Sequence, residues 1–538
     1  MTMVEYVSAI AKQIRNLATI LCLALIFTLC LSFGTETAIA APACRVPNSG
    51  NWNINSDCDL VRDESAPRNV QIRNGSTLSI PRGRSLNINL SNFNLRVASD
   101  SKLLVEPGGK IGSCTVNSDR PRNEEIGADP NLDGDRFIEV IREKLPLSKH
   151  MGYVVSLQNS DLRNVAWDAS GYAISNCDDP EEGQPFTIDT ATAWGSVSKL
   201  ITATVVTKLA QDSDQVDLGD RFAPYVPDRW NIDAKFNDVT FAQLLGHRAG
   251  LRKSADSNLR TRLEKTYPYP SGASAVAEEF KDRCPPRNKD NSPDGKAYEN
   301  VDPEVGVRCY SNSGAGIAGR MMMRAINPGG AQAWEQQNAR TSDNNYDEEF
   351  KQWSSLLYLG LTDSQVLRPA NIDFGREANC NIQQFRANGQ PYARSYISGQ
   401  DPDGQLKDDG TLTCFSGGWV MSARHMARFM RTLRHSDAIV NRATYREMPD
   451  CGIGFDGSLR NVNGGVAFGK DGLVPLGSGS SKHNYAAYVV MLPGGYTAVA
   501  ASNSGNSSDL RNALIAAFNA SYSPPGPVRV SSSSCPYW

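Results

Sequence analysis

The sequence predicts an α/β protein in which one sheet, built from strands at both ends of a large domain, is flanked by helices and preceded by a small all-β module. The first observation is a helix and strand pair. In "DRFIEVIREKL" (Asp135 to Leu145) the apolar positions Phe137, Ile138, Ile141 and Leu145 fall at helical spacing, and "GYVVSLQN" and "NVAWDASGYAIS" then read as two strands. The second lies far downstream. "NYAAYVVMLPGGYTAVAASNS" (Asn484 to Ser504) is two apolar strands joined at Pro493-Gly494-Gly495, and "DLRNALIAAFNAS" closes with a helix. The third is a short beat: Val70-x-Ile72, Leu78-x-Ile80, Leu86-x-Ile88, Leu95-x-Val97, Leu103-x-Val105 and Ile111 alternate apolar with polar, with Gly75, Gly83, Asn92, Asp100 and Gly108 between them. Such regular short strands predict a small parallel β-solenoid, each rung burying its face on the next, with an antiparallel meander as the alternative.

Each remaining part of the chain follows from composition. Lys12 and Arg15 precede an apolar stretch from Leu17 to Phe33, and Ala38-Ile39-Ala40 then supplies the small residues of a cleavage site. Residues 1–40 are therefore expected to be a signal peptide, giving a secreted or periplasmic chain with no membrane contact after cleavage. A single transmembrane anchor is the alternative. Of the 12 cysteines, Cys22 and Cys30 lie in this leader, and the others, from Cys44 to Cys535, form no C-x-x-C and accompany no zinc pattern. Structural disulfides are expected, and no metal. Cys44, Cys58 and Cys114 bracket the β module, which spans 41–114 and is small enough to need a staple. The polar stretch 115–134 reads as a linker, 135–522 as the large domain and 523–538 as an extended tail. The chain carries 55 basic and 58 acidic residues and no basic stripe, which excludes an electrostatic footprint for nucleic acid.

The chemistry sits in "TAWGSVSKLITATVV" (Thr192 to Val206). A serine hydroxyl is a poor nucleophile until a neighbour takes its proton, and a lysine three residues on presents its amine on the same helical face. Unpaired N–H groups at a helix start also favour developing negative charge. Ser196 and Lys199 thus form a sensible nucleophile and partner. The absence of G-x-S-x-G argues against the elbow of an α/β-hydrolase.

Four stretches in order carry a resemblance: "WGSVSKLITA", "VTFAQLLGHRAGL" (Val239 to Leu251), "YSNSGAGIAG" (Tyr310 to Gly319) and "FGKDG" (Phe468 to Gly472). Fainter echoes are "LGLTDSQV" (Leu359 to Val366) and "SGGWVMSARHMARFM" (Ser416 to Met430). Together they resemble the penicillin-recognising serine hydrolases, most closely the branch holding class C β-lactamases, D-alanyl-D-alanine carboxypeptidases and related esterases, over roughly Asp135 to Ala520. The resemblance implies a serine β-lactamase-like fold: an antiparallel sheet flanked by helices, a helical subdomain, and a site between them that needs no cofactor. It implies that Ser196 forms an acyl-enzyme and that Lys199 shares the proton with Tyr310. Lys470 beside Tyr310 adds a second positive charge favouring the phenolate. Asn312 would orient Lys199 and the substrate amide. The oxyanion hole would be the backbone N–H groups of Ser196 and of Leu473, which follows Lys470-Asp471-Gly472. His247 in the second stretch reads as a hydrogen-bonded structural residue, and His425 and His435 as surface or packing residues.

One position departs from the family. Members acting on penicillins or peptide C-termini usually carry threonine or serine where this chain has Asp471, and an acid facing the site would repel a carboxylate. The expected reaction is therefore hydrolysis of an ester or amide in a small-molecule or peptide substrate. The alternatives are D-alanyl-D-alanine carboxypeptidase or β-lactamase activity, or an idle cell-surface binding protein. In the last case the β module would contact cell wall or glycan. The stretch "LVPLGSGSSKHN" is expected to reshape one wall, and the long segment from Gly329 to Cys414 to form a lid or rim.

Overall fold

The computed structural model describes residues 41–47, 51–62, 64–65, 69–87, 95–111, 116, 120–161, 164–178, 183–251, 259–264, 305–399, 401, 404–477, 482–524 and 535–538. The signal-peptide expectation, Cys114, Cys284 and the tip of the 473–484 turn lie outside them. The chain divides into two compact units, Met1–Ser113 and Cys114–Trp538.

Among the described residues of the first unit nine short strands follow one another: β1 (Trp52–Ile54), β2 (Cys58–Asp59), β3 (Glu64–Ser65), β4 (Val70–Ile72), β5 (Thr77–Ile80), β6 (Ser85–Asn87), β7 (Leu95–Val97), β8 (Lys102–Val105) and β9 (Lys110–Ile111). Every pairing among these strands is parallel, and each strand pairs with the one three elements later: β1-β4-β7, β2-β5-β8 and β3-β6-β9. Like stacks on like. Trp52 pairs with Val70 and Val70 with Leu95, while Leu78 pairs with Leu103. The period of two turns Val70, Ile72, Leu78 and Ile80 into one buried file with Trp52 and Ile54. Cys44–Cys58 closes one end of this small core.

In the second unit the expected linker contains structure. Residues 122–126 form β10 (Arg122–Ile126), an edge strand that pairs with Ala166 to Ser170. Its sequence, RNEEI, is exposed at every position, so composition alone reads as linker. The guanidinium of Arg120, just before it, is buried and donates to the carbonyls of Leu147, His150, Met151 and Gly399.

After β10 come α1 (Gly134–Lys144), β11 (Gly152–Gln158), β12 (Asn164–Ile174), β13 (Gln184–Pro185) and β14 (Thr192–Ala193). Helices follow: α2 (Ser198–Asp212), α3 (Phe241–Leu245), α4 (Leu259–Glu264), α5 (Asn312–Ile326), α6 (Pro328–Asn338) and α7 (Asp343–Thr362). Then come β15 (Ala378–Asn379), α8 (Ile382–Ala387), β16 (Val420–Met421), α9 (Ala423–His435) and α10 (Arg442–Asp450). The chain returns through β17 (Gly457–Val462), β18 (Gly465–Leu476), β19 (His483–Met491), β20 (Thr497–Ser502) and α11 (Ser507–Ser521).

The main sheet runs β10-β12-β11-β20-β19-β18-β17, antiparallel throughout, so N-terminal strands meet C-terminal ones at the β11–β20 seam. Alternation sorts its residues into two cores. Tyr153, Val155, Tyr488, Val490 and Ala500 pack under α1 and α11. Val154, Val489, Val499 and Ala501 join α2, α5, α7 and α9 on the opposite face. Helix α2 is not amphipathic: from Ser198 to Thr207 every residue is buried, because the helical subdomain wraps it. The segment from Gly329 to Cys414 builds much of that subdomain through α6, α7 and α8, with Cys380–Cys414 tying its end. Among the described residues no helix is long and apolar enough to cross a membrane, and no cluster of ligating side chains could hold a metal.

The tail does not simply extend. Cys535 is bonded to Cys451, the Tyr537 hydroxyl donates to Glu447 at 3.0 Å, and the guanidinium of Arg248 lies 4.8 Å from the Trp538 ring. A cross-link over 84 residues removes much unfolded-chain entropy. Replacing Cys535 by serine is expected to lower unfolding stability by about 2–4 kcal/mol. An unchanged urea midpoint under non-reducing conditions would show that the tail contributes nothing.

Candidate active site

Local structure presents the serine. Strand β14 is held by β16, Trp194 N–H donates to the Trp419 carbonyl at 3.0 Å, and the chain then makes one tight turn over Gly195–Val197 into α2. Gly195 is left-handed at φ 51°, and a Cβ there would lie 2.7 Å from the backbone nitrogen of Leu473. On the other side of this contact a Cβ on Gly472 would lie 2.1 Å from the Trp194 carbonyl oxygen. Both glycines are needed because the turn bearing Ser196 sits directly on the backbone of β18.

Five predicted side chains converge there. Lys199 Nζ donates to Ser196 Oγ at 3.0 Å and to the Ser416 carbonyl at 2.6 Å, and is almost wholly buried. The Tyr310 hydroxyl lies 2.6 Å from Ser196 Oγ and 3.2 Å from Asn312 Oδ1. The ammonium groups of Lys199 and Lys470 stand 5.4 Å and 4.8 Å from the centre of the Tyr310 ring. Two ammonium groups thus flank the Tyr310 side chain whose hydroxyl bonds Ser196.

Strand β18 explains the remaining predicted positions. Lys470 is opposite Val489 and Gly472 opposite Ala487, both on the α2 face, whereas Asp471 is opposite Tyr488 on the α1 and α11 face. Asp471 accordingly lies behind the sheet, its carboxylate 3.8 Å from Arg511 of α11. Burial pushes its carboxyl up, opposed by Arg511. The expectation that Asp471 faces substrate is corrected by the two-residue period of a strand: the neighbour of an inward lysine points outward. The Leu473 N–H, two residues beyond the edge-directed N–H of Asp471, points to the same edge, next to Gly195. That is where an oxyanion donor has to stand beside the Ser196 N–H.

Two residues outside the predicted catalytic set support it. Asp456, one residue before β17, accepts from Lys470 Nζ through Oδ1 and from the Asp471 N–H at 2.8 Å through Oδ2, while its own N–H donates to the Gly469 carbonyl at 2.9 Å. Burial pushes the Lys470 ammonium down, and Asp456 pulls it back up. No motif flagged Asp456. The only hint was "GFDG", whose partner appears once β17 folds against β18.

His247 is the second. Helix α3 has a capping box at Thr240 and Gln243 and ends in a two-bond cap: Arg248 N–H to the Gln243 carbonyl at 2.7 Å and His247 N–H to the Leu244 carbonyl at 3.4 Å. Glycine usually occupies the left-handed position of such a cap, yet here it is His247 at φ 60°. Its side chain accounts for the exception. Nδ1 accepts from the Ser311 N–H at 3.2 Å, the backbone carbonyl accepts from the Cys309 N–H at 2.7 Å, and the imidazole lies 4.6 Å from the Tyr310 ring. His247 therefore grips both neighbours of Tyr310. Accepting at Nδ1 requires the neutral ring, and burial, with Lys470, Lys199 and Arg308 nearby, pushes its pKa well below 6.5. By contrast His425 bonds Ser422 and His435 bonds the Gly495 carbonyl, in structural roles as expected.

Because the folded chain resists protonation of His247 and the unfolded chain does not, this group's contribution is complete above pH 6.5 and is lost as pH falls below it. The slope is at most about 1.4 kcal/mol per pH unit. His247→Asn keeps an acceptor and tolerates the left-handed backbone, so its stability should fall less steeply between pH 7 and pH 5 in urea titrations. Parallel profiles for the two proteins would contradict this.

Residues 155–521 match the family model Beta-lactamase. Among solved structures, the octameric penicillin-binding protein homologue from Pyrococcus abyssi is 18% identical, covering 72% of this chain and 78% of its own, with TM-score 0.46. A beta-lactamase from Sulfitobacter sp. EE-36 is 14% identical, covering 72% and 97%, with TM-score 0.45. A class C beta-lactamase is 14% identical, covering 73% and 98%, with TM-score 0.46. No curated protein matches the chain. With the family model spanning most of the second unit, the chain belongs to the beta-lactamase family of serine hydrolases.

Proposed function

We propose that this protein hydrolyses an ester or amide through an acyl-Ser196 intermediate. The observation carrying this reading is the pair of contacts at Ser196 Oγ, Tyr310 at 2.6 Å and Lys199 at 3.0 Å. Tyr310, flanked by two ammonium groups, takes the Ser196 proton as Oγ bonds to the acyl carbon. The negative oxygen that develops is held by the N–H groups of Ser196 and Leu473. The bond to the leaving group then breaks, and Tyr310 passes its proton to the departing oxygen or nitrogen. Water attacks the acyl-serine with Tyr310 again as base, releasing the acid and restoring the Ser196 hydroxyl.

The leader sequence supports export before action, and the regular parallel ladders of the first unit support its reading as a short β-solenoid suited to contact with cell wall or glycan. The test of the reaction is Ser196→Ala. Turnover of an activated short-chain ester should fall by at least about a thousandfold, with the thermal midpoint nearly unchanged. Intact-mass analysis of the wild type after brief exposure should show an acyl adduct that the variant lacks. Equal hydrolysis by both proteins would refute the assignment.

A further inference from the structure

The ion pair of Lys470 with Asp456 bears on which acyl donors the site accepts, a question that rests on the proposed acyl-serine reaction. Lys470 is wholly buried and 4.8 Å from the Tyr310 ring, so it stands beside the group that hands a proton to the leaving atom. A lone ammonium there would attract a carboxylate on the leaving group. In this chain its charge is answered by Asp456, whose side chain keeps 30% of its exposure. Asp456 is also fixed in place: its N–H is bonded to the Gly469 carbonyl and its second oxygen to the Asp471 N–H, so it cannot swing away to let an anion reach Lys470. Arg308 holds the preceding residue, donating to the Phe455 carbonyl at 3.3 Å.

We infer that Asp456 is a specificity-determining residue that makes the site select acyl donors with no carboxylate next to the scissile bond. An anionic leaving group meets the partly exposed carboxylate of Asp456 and must compete with it for the Lys470 ammonium. Neutral leaving groups lose nothing, and cationic ones gain a partner. The sequence placed this role on Asp471; the fold gives it to an acid 15 residues earlier that bonds both Lys470 and the Asp471 N–H.

The test compares phenyl acetate with 3-carboxyphenyl acetate, using Ser196→Ala to subtract background. Wild-type kcat/KM should favour the neutral ester. In Asp456→Asn, which keeps an acceptor for the Asp471 N–H, the ratio of the two kcat/KM values should shift toward the anionic ester by about tenfold, and Asp456→Glu should restore it. Taking the ratio removes any general effect of the substitution on Tyr310. Asp456→Ser, expected to shift the ratio the same way, serves if Asp456→Asn does not fold. A ratio unchanged within a factor of two in the folded variants overturns the inference while leaving the hydrolase reading intact, as does a wild-type preference for the anionic ester. Absence of Ser196-dependent turnover of both esters overturns the hydrolase reading and this inference with it.

Discussion

The site depends on one close approach: the turn Trp194-Gly195-Ser196 lies against the backbone of β18 at Gly472 and Leu473. Without that approach the two candidate oxyanion donors would not share an edge, and Ser196 would stand apart from Lys470 and Tyr310. Much of the second unit serves to enforce it. Strand β14 is pinned through β16, Ser198 Oγ accepts from the Trp419 N–H at 3.1 Å, and the Trp194 indole donates to the Met421 carbonyl at 2.9 Å. Helix α2 is buried all round, so it cannot rotate Lys199 away from Ser196.

Charge at the site is arranged in layers. Lys199 contacts Ser196 directly, Lys470 stands beside Tyr310, and Asp456 answers Lys470 from just before the next strand. Buried ammonium groups are costly unless paired, so the fold retains Lys470 next to Tyr310 by supplying Asp456. His247, kept neutral by burial, adds hydrogen bonds without adding another charge. A left-handed histidine where glycine is the usual choice marks a place where local strain is tolerated because the side chain is used.

Much of this was legible in the chain. The alternation of apolar residues gave β4 to β9 of the first unit and β11, β12, β19 and β20 of the second, and the helical spacing after Asp135 and after Ser507 gave α1 and α11. The motif order located Ser196, Lys199, Tyr310, Asn312 and Lys470, which meet in space. Strand β10 escaped because an edge strand with every position exposed carries no apolar alternation. The docked C-terminus escaped because its anchor, Cys451, is remote in sequence.

The sequence by itself determined the residue types, their order and the periodicities, because local backbone geometry and hydrophobic burial depend on neighbours a few positions apart. Tertiary structure decided what only strand pairing and register can decide. It turned Asp471 to the back of the sheet and brought Asp456 to Lys470. It also set His247 against both neighbours of Tyr310. Which face of a strand a residue occupies, and which distant loop lies beside it, depends on long-range packing that no short window of sequence contains.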